Sequence, residues 1–218
     1  MEQYKAALFD LDGTLVDSLE DIADAMNRTL RLFDYPDFPT DEYRYLVGNG
    51  LRNLVWKCLP EGKKEDQYVD ETLAVMMKEY GGALLNKSAL YSGISELLDF
   101  LTEKNYKLAV LSNKADVLTQ EIAAKLLNKW PFELILGVTD RFPRKPDPTS
   151  ALYISRQLNL KPDQFLYFGD TGVDMKTANA AGMFPVGVSW GFRSRDELIE
   201  NGARLVIDKP QNLFLNFA

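Results

Sequence analysis

The run Ala6-Ala7-Leu8-Phe9-Asp10-Leu11-Asp12-Gly13-Thr14-Leu15 constrains this chain more than any other stretch. Ala6 to Phe9 is apolar without alternation, which is how a short strand reads when helices cover both faces of a parallel sheet. The run then stops at two aspartates two positions apart. In extended chain, residues i and i+2 face the same side, so Asp10 and Asp12 are expected to aim at one small volume. Carboxylates at the end of a buried strand are costly to desolvate without positive charge nearby. A divalent cation answers that cost, and hard oxygen ligands suit Mg²⁺, which combines carboxylates with waters and substrate phosphate oxygens. Gly13 permits a tight turn and close approach to a ligand, while Thr14 offers a hydroxyl and a backbone N–H. The plain alternative is an Asp-Gly turn with solvated acids at its tip.

The surroundings of this run are organised in two rhythms. After Asp17-Ser18, a candidate N-cap, the apolar positions Leu19, Ile22, Ala23, Met26, Leu30 and Phe33 recur at helical spacing. Thr40 is expected to cap a short helix, and further stripes run through Leu51–Leu59 and Val69–Tyr80 before Gly81-Gly82. From Tyr91 onward helix and strand alternate, with a buried strand at Leu108–Leu111 and further strands at Leu134–Val138, Phe165–Phe168, Pro185–Val188 and Leu205–Ile207. Ser194-Arg195-Asp196-Glu197 has the form of a capping box. The pattern predicts an α/β fold: a doubly wound, parallel-sheet (Rossmann-like) core of residues 1–15 and 83–218, with an all-helical domain, residues 16–82, inserted after the first strand.

Composition narrows the chemistry. A length of 218 residues allows one full core plus an insertion. The formal net charge of −7, with Lys and Arg dispersed, argues against a nucleic-acid partner. No apolar run approaches the length of a membrane span. No signal-peptide pattern precedes the first strand, and Cys58 is the only cysteine, so a cytoplasmic location is expected. Histidine is absent altogether, which removes Ser-His-Asp and Cys-His nucleophile systems and His-rich zinc sites. Acid–base work must fall to carboxylates, Lys, Tyr or bound water.

In a sheet of this kind ligands bind outside the carboxyl ends of the strands, and that is where the polar residues collect. The first strand ends in Asp10 and Asp12, the next in Ser112 and Asn113. Lys145 follows Val138 within Arg144-Lys145-Pro146, and Asp170 and Asp174 follow Phe165–Phe168. Singly each has a bland reading: Ser112-Asn113 as a helix cap, Lys145 as a surface lysine, Asp170 as a turn, Asp174 as an N-cap. Jointly, acids for a metal, a lysine against residual charge and small donors for equatorial oxygens are what phosphoryl transfer needs. These four segments resemble the motifs of the haloacid dehalogenase-like hydrolase superfamily, and the resemblance covers the whole chain, including a helical cap after the first motif.

The resemblance implies roles. Asp10 would be the nucleophile, forming an aspartyl-phosphate, and Asp12 the general acid and then the general base. Mg²⁺ would be held by Asp10, the Asp12 carbonyl and Asp170, with Asp174 acting through water or orienting its neighbours. Gly13, Thr14, Ser112, Asn113 and Lys145 would hold the phosphoryl group. The second aspartate is similar to the phosphatase branch. Asp17-Ser18, Tyr45 to Leu51, Ser112-Asn113-Lys114 and Ser189-Trp190-Gly191 resemble the phosphoglycolate phosphatases, which implies a small phosphorylated metabolite as substrate, 2-phosphoglycolate foremost, for a protein that is a monomer or homodimer. In the helical segment, Gly48, Asn49 and Gly50 permit close approach, and Arg52 is placed to meet a substrate carboxylate or second phosphate; a solvated arginine at a helix start is its other reading. A sugar-phosphate phosphatase or phosphohexomutase, and a non-catalytic phosphate-binding module, are the alternatives.

Overall fold

The structure is a computed structural model and describes residues 3–213. It divides into two compact units, one formed by the chain up to Asp17 and from Leu90 onward, the other by Ser18–Ala89. The chain enters through β1 (Ala6–Phe9) and β2 (Val16–Asp17) and continues as α1 (Leu19–Leu32), α2 (Tyr43–Leu46), α3 (Leu51–Cys58) and α4 (Asp66–Gly81). It returns through β3 (Ala89–Leu90) to α5 (Ile94–Glu103), β4 (Lys107–Ala115), α6 (Asp116–Leu126), β5 (Phe132–Val138) and α7 (Thr149–Gln157). The remainder is β6 (Phe165–Gly169), α8 (Gly172–Ala181), β7 (Phe184–Val188), α9 (Arg195–Glu200) and β8 (Leu205–Ile207).

The first unit carries the expected doubly wound sheet. Its six strands lie in the order β5-β4-β1-β6-β7-β8, with every pair parallel. The chain steps outward from β1 to β4 and β5, then crosses back to β6, so the topological switch point flanks β1. All four residues of β1 are buried, which is why the strand shows no alternation. Ala6 and Leu8 face a cluster with Ala109, Leu111, Ile154, Phe165, Tyr167 and Ala178. Phe9, on the opposite face, stacks on Phe168 with ring centroids 4.7 Å apart and meets Phe132 edge-on. Ser194 caps α9 as expected, accepting from the Glu197 N–H at 3.2 Å. Ser18 stands at the N-cap of α1 without a side-chain cap bond. Pro148 stands at the N-cap of α7, and Asp147 Oδ1 accepts the N–H of its first residue, Thr149, at 2.8 Å.

The second unit is all-helical apart from its return strand. Leu19, Ile22, Ala23, Met26 and Leu30 form the buried stripe of α1, matched by Leu54, Val55 and Cys58 of α3 and Val69, Met76 and Tyr80 of α4. Arg28 ties α1 to α4 through Glu79, with its Nε 3.0 Å from the carboxylate. The segment before β3 is fastened by Asp21, a buried carboxylate that accepts from the Ser88 N–H (2.7 Å), the Ser88 hydroxyl (2.6 Å) and the Lys87 N–H (3.0 Å). A buried donor left without its acceptor costs about 1–3 kcal/mol. Asp21→Ala should therefore lower stability by at least that amount in denaturant titration, whereas Asp21→Asn, which keeps one acceptor oxygen, should lose less.

Candidate active site

β1 delivers Asp10 to the switch point: its N–H continues the ladder to the Phe168 carbonyl at 2.9 Å. The chain then folds tightly. The Leu11 carbonyl accepts from Leu15 (3.0 Å) and Val16 (2.9 Å), and the Gly13 N–H donates to the Val16 carbonyl at 2.9 Å. Gly13 has φ +85°, and a Cβ there would lie 2.2 Å from Asp170 Oδ2, so only glycine fits. β4 supplies Ser112 and Asn113 where its register with β5 slips between Leu111 and Ala115, and such irregularities re-aim side chains at strand ends. Asp170 follows β6 directly. Asp174 is fixed in the first turn of α8 by Thr171, whose hydroxyl and N–H donate to its Oδ2 at 2.6 and 3.2 Å.

Asp10, Asp170 and Asp174 bring one oxygen each to within 4.8 Å of one another, and all three are buried. Lys145 Nζ stands between two of them, 2.9 Å from Asp10 Oδ1 and 2.7 Å from Asp174 Oδ1. Burial pushes Asp10 up to about 7, with Lys145 pulling against it and Asp174 and Asp12 adding to it. Burial, then the Asp10 and Asp174 charges, drives Asp170 well above the carboxylate range. Burial alone would lower Lys145, but Asp10 and Asp174 overcome it and hold the ammonium well above its ordinary value. Asp170 is oriented by the Phe192 N–H (2.8 Å) and the Thr14 hydroxyl (3.2 Å).

Asp12 is not a member of this cluster. Its carboxylate is held by Lys114, with Nζ 3.0 Å from Oδ1 and 2.9 Å from Oδ2. Lys114 carried no role in the sequence reading, although it sits in the quoted Ser112-Asn113-Lys114 segment; the signal available was its two-residue offset from Ser112 at a strand end. Other expected phosphate donors are engaged within the protein. Asn113 accepts the Lys145 N–H at 2.9 Å and donates to the Lys145 carbonyl at 3.1 Å, so its amide braces the loop that carries the lysine. The Thr14 hydroxyl is spent on Asp170 and the Gly13 N–H on Val16. Ser112 Oγ accepts from the Lys114 N–H at 3.2 Å, a bond that does not consume its own hydrogen. In the helical unit, Gly48 and Gly50 have φ +113° and +83° ahead of α3. Arg52 there lies 2.8 Å from Asp66 and 3.0 Å from Asp70.

The donor set fits a divalent metal. Asp10, Asp12, Asp170 and Asp174 face the ammonium groups of Lys114 and Lys145. With all groups ionised the excess is two negative charges, which one divalent cation balances. The ligands are oxygens alone, the set that suits hard cations.

Residues 7–188 match the family model described as haloacid dehalogenase-like hydrolase. The phosphoglycolate phosphatase of Colwellia psychrerythraea is 32% identical over 221 residues, covering 99% of this chain and 98% of that protein. That of Aquifex aeolicus is 34% identical over 209 residues, covering 96% and 94%. Among solved structures, a predicted phosphoglycolate phosphatase from Haemophilus somnus superposes with a TM-score of 0.91 at 28% identity over 100% of both chains. A haloacid dehalogenase-like family hydrolase from Streptococcus pneumoniae gives 0.89 at 25% identity, again over 100% of both.

The carboxylate cluster sets a pH dependence. A carboxylate whose folded pKa lies above its unfolded value, near 3.8 for Asp10, contributes stability in full below the unfolded pKa and loses it as pH rises through about 7. In chelator, the loss should begin above pH 3.8 and finish as pH passes about 7, so the part that remains at pH 5.5 should be gone at pH 8. Mg²⁺ competes with protons for the same oxygens, so the rise in melting midpoint on adding it should be larger at pH 8 than at pH 5.5. Thermal melts with and without Mg²⁺ at the two pH values check this. A gain independent of pH would show that the cation does not displace a proton from Asp10 in this range.

Proposed function

The chain belongs to the haloacid dehalogenase-like hydrolase family and is a hydrolase, and on that basis we propose that it is a Mg²⁺-dependent phosphomonoester phosphatase with 2-phosphoglycolate as leading substrate. The observation that carries this reading is a nucleophilic-type carboxylate, Asp10, clamped by Lys145 at the end of the central strand, with a second aspartate two residues on. A protein that merely bound phosphate would need donors and positive charge, not two acids at that position. Its relatives' names support the substrate.

In the proposed reaction an Asp10 oxygen attacks phosphorus, forming an acyl-phosphate as the ester P–O bond breaks. The departing alkoxide takes a proton from Asp12. Water then attacks the same phosphorus, giving its proton back to Asp12 and freeing inorganic phosphate and Asp10. Lys145 and the Ser112 hydroxyl hold non-bridging oxygens, and Asn113 keeps the Lys145 loop in place. Asp10, Asp170 and the Asp12 carbonyl would hold Mg²⁺, with Asp174 acting through water or orienting its neighbours, and the ion would supply charge neutralisation at the phosphoryl oxygens. The helical unit acts as a cap whose Gly48-Asn49-Gly50 turn and Arg52 read the non-phosphate end of the substrate. A cytoplasmic location accords with a lone, buried Cys58 and with the absence, among the described residues, of any helix long and apolar enough to cross a membrane.

The deciding experiment is phosphate release from a panel of small phosphate esters with Mg²⁺. Asp10→Asn should abolish turnover and phosphoenzyme formation on every active ester. Turnover by Asp10→Asn, or full activity in chelator, would refute the mechanism. A charge-assisted hydrogen bond is worth roughly 1.5–3 kcal/mol. Arg52→Ala should accordingly lower kcat/KM for 2-phosphoglycolate about ten- to a hundredfold more than for an aryl phosphate. An equal effect on both would return Arg52 to its Asp66 and Asp70 ion pairs.

A further inference from the structure

We propose that Lys114 is a positioning residue for Asp12, fixing the carboxylate that must serve both half-reactions; this rests on the phosphatase reading. The Lys114 side chain is 2% exposed, and its ammonium reaches both oxygens of Asp12. Burying an ammonium is costly unless a partner compensates it, so a lysine in this place is not there for solubility. Its backbone is mounted at two points. The N–H donates to Ser112 Oγ at 3.2 Å, and the carbonyl accepts the Thr119 hydroxyl at 3.4 Å. That mounting lies in the irregular stretch of β4 that also presents Ser112.

Asp12, by contrast, stands on the loop between β1 and β2, where a short side chain has several rotamers open to it. It must give a proton to the leaving oxygen and then take one from water on the same phosphorus. Both events need an oxygen returned to one place, and a misplacement of 1 Å can cost on the order of 10²-fold. The partner across the sequence separation of 102 residues supplies that place. Lys145 touches Asp10 through one oxygen while also touching Asp174, so each of the two reacting carboxylates is paired with a buried lysine.

Single-turnover kinetics with a neutral alkyl phosphate and 4-nitrophenyl phosphate test this, because an alkoxide needs a proton to leave and nitrophenolate needs it far less. Lys114→Met should slow bond breaking in the alkyl ester at least about tenfold more than in the aryl ester and slow phosphoenzyme hydrolysis, giving a burst with the aryl ester. In an Asp12→Asn background the same change should add less than about twofold, since two residues acting through one group are not additive. Lys114→Arg should recover part of the alkyl-ester rate. If Lys114→Met does not fold, as judged by circular dichroism, Lys114→Gln carries the same comparison.

Equal losses on both esters, or losses that multiply with those of Asp12→Asn, overturn the assignment. A loss confined to carboxylate-bearing esters and persisting in Asp12→Asn also overturns it, by making Lys114 a reader of the substrate's second anion. Wild-type protein inactive on every ester overturns the phosphatase reading and this inference with it.

Discussion

Repulsion among buried carboxylates, offset by one lysine, is the interaction on which the rest of this site depends. Three aspartate oxygens within 4.8 Å, all on buried residues, would not stay ionised without compensation. Lys145 provides part of it by touching two of them. That makes the placement of one ammonium group critical, and several otherwise unrelated features serve it. Asn113 grips the Lys145 backbone on both its polar atoms. Thr171 and the start of α8 immobilise Asp174. The remaining negative charge is what gives these oxygens their attraction for a divalent cation.

The same constraint explains the glycines around Asp170. A Cβ on Gly169 would sit 2.2 Å from the Asp174 Cβ, and one on Gly191 would sit 2.3 Å from both the Asp170 Cβ and the Gly13 carbonyl oxygen. Backbone is packed against carboxylate so closely that no side chain can intervene. The sheet contributes the front: β1 lies between β4 and β6, so three neighbouring strand ends converge on the same point.

Much of this was legible in the sequence, because it was written in local patterns. Apolar runs ending in Asp, Ser-Asn or Gly-Asp marked strand ends, and helix–strand alternation fixed the sheet type. The motif residues Asp10, Lys145, Asp170 and Asp174 were found in this way and do come together. What the sequence concealed was who holds whom. The Lys114 pairing with Asp12 spans 102 residues, and the Asn113 grip on Lys145 spans 32. No periodicity announces such contacts. The donors of Gly13, Thr14 and Asn113 were expected to face phosphate for the same reason: their residue types were visible but not the partners already using them. Helix caps show the effect on a small scale, with Ser194 capping as its spacing suggested while Ser18 stands at its N-cap position without a side-chain cap bond.

The wall behind Asp170 comes from the far end of the chain. Trp190 donates its indole N–H to the Thr14 carbonyl at 3.0 Å, across a sequence separation of 176 residues, and the Phe192 N–H caps Asp170. Contacts of such separation form late, because the loop they close must be ordered first. Asp10 therefore meets Lys145, Asp170 and Asp174, and Asp170 meets its Phe192 cap, only through residues at least 135 positions further along the sequence than Asp10, so no local segment can assemble this cluster and it comes into being with the sheet as a whole.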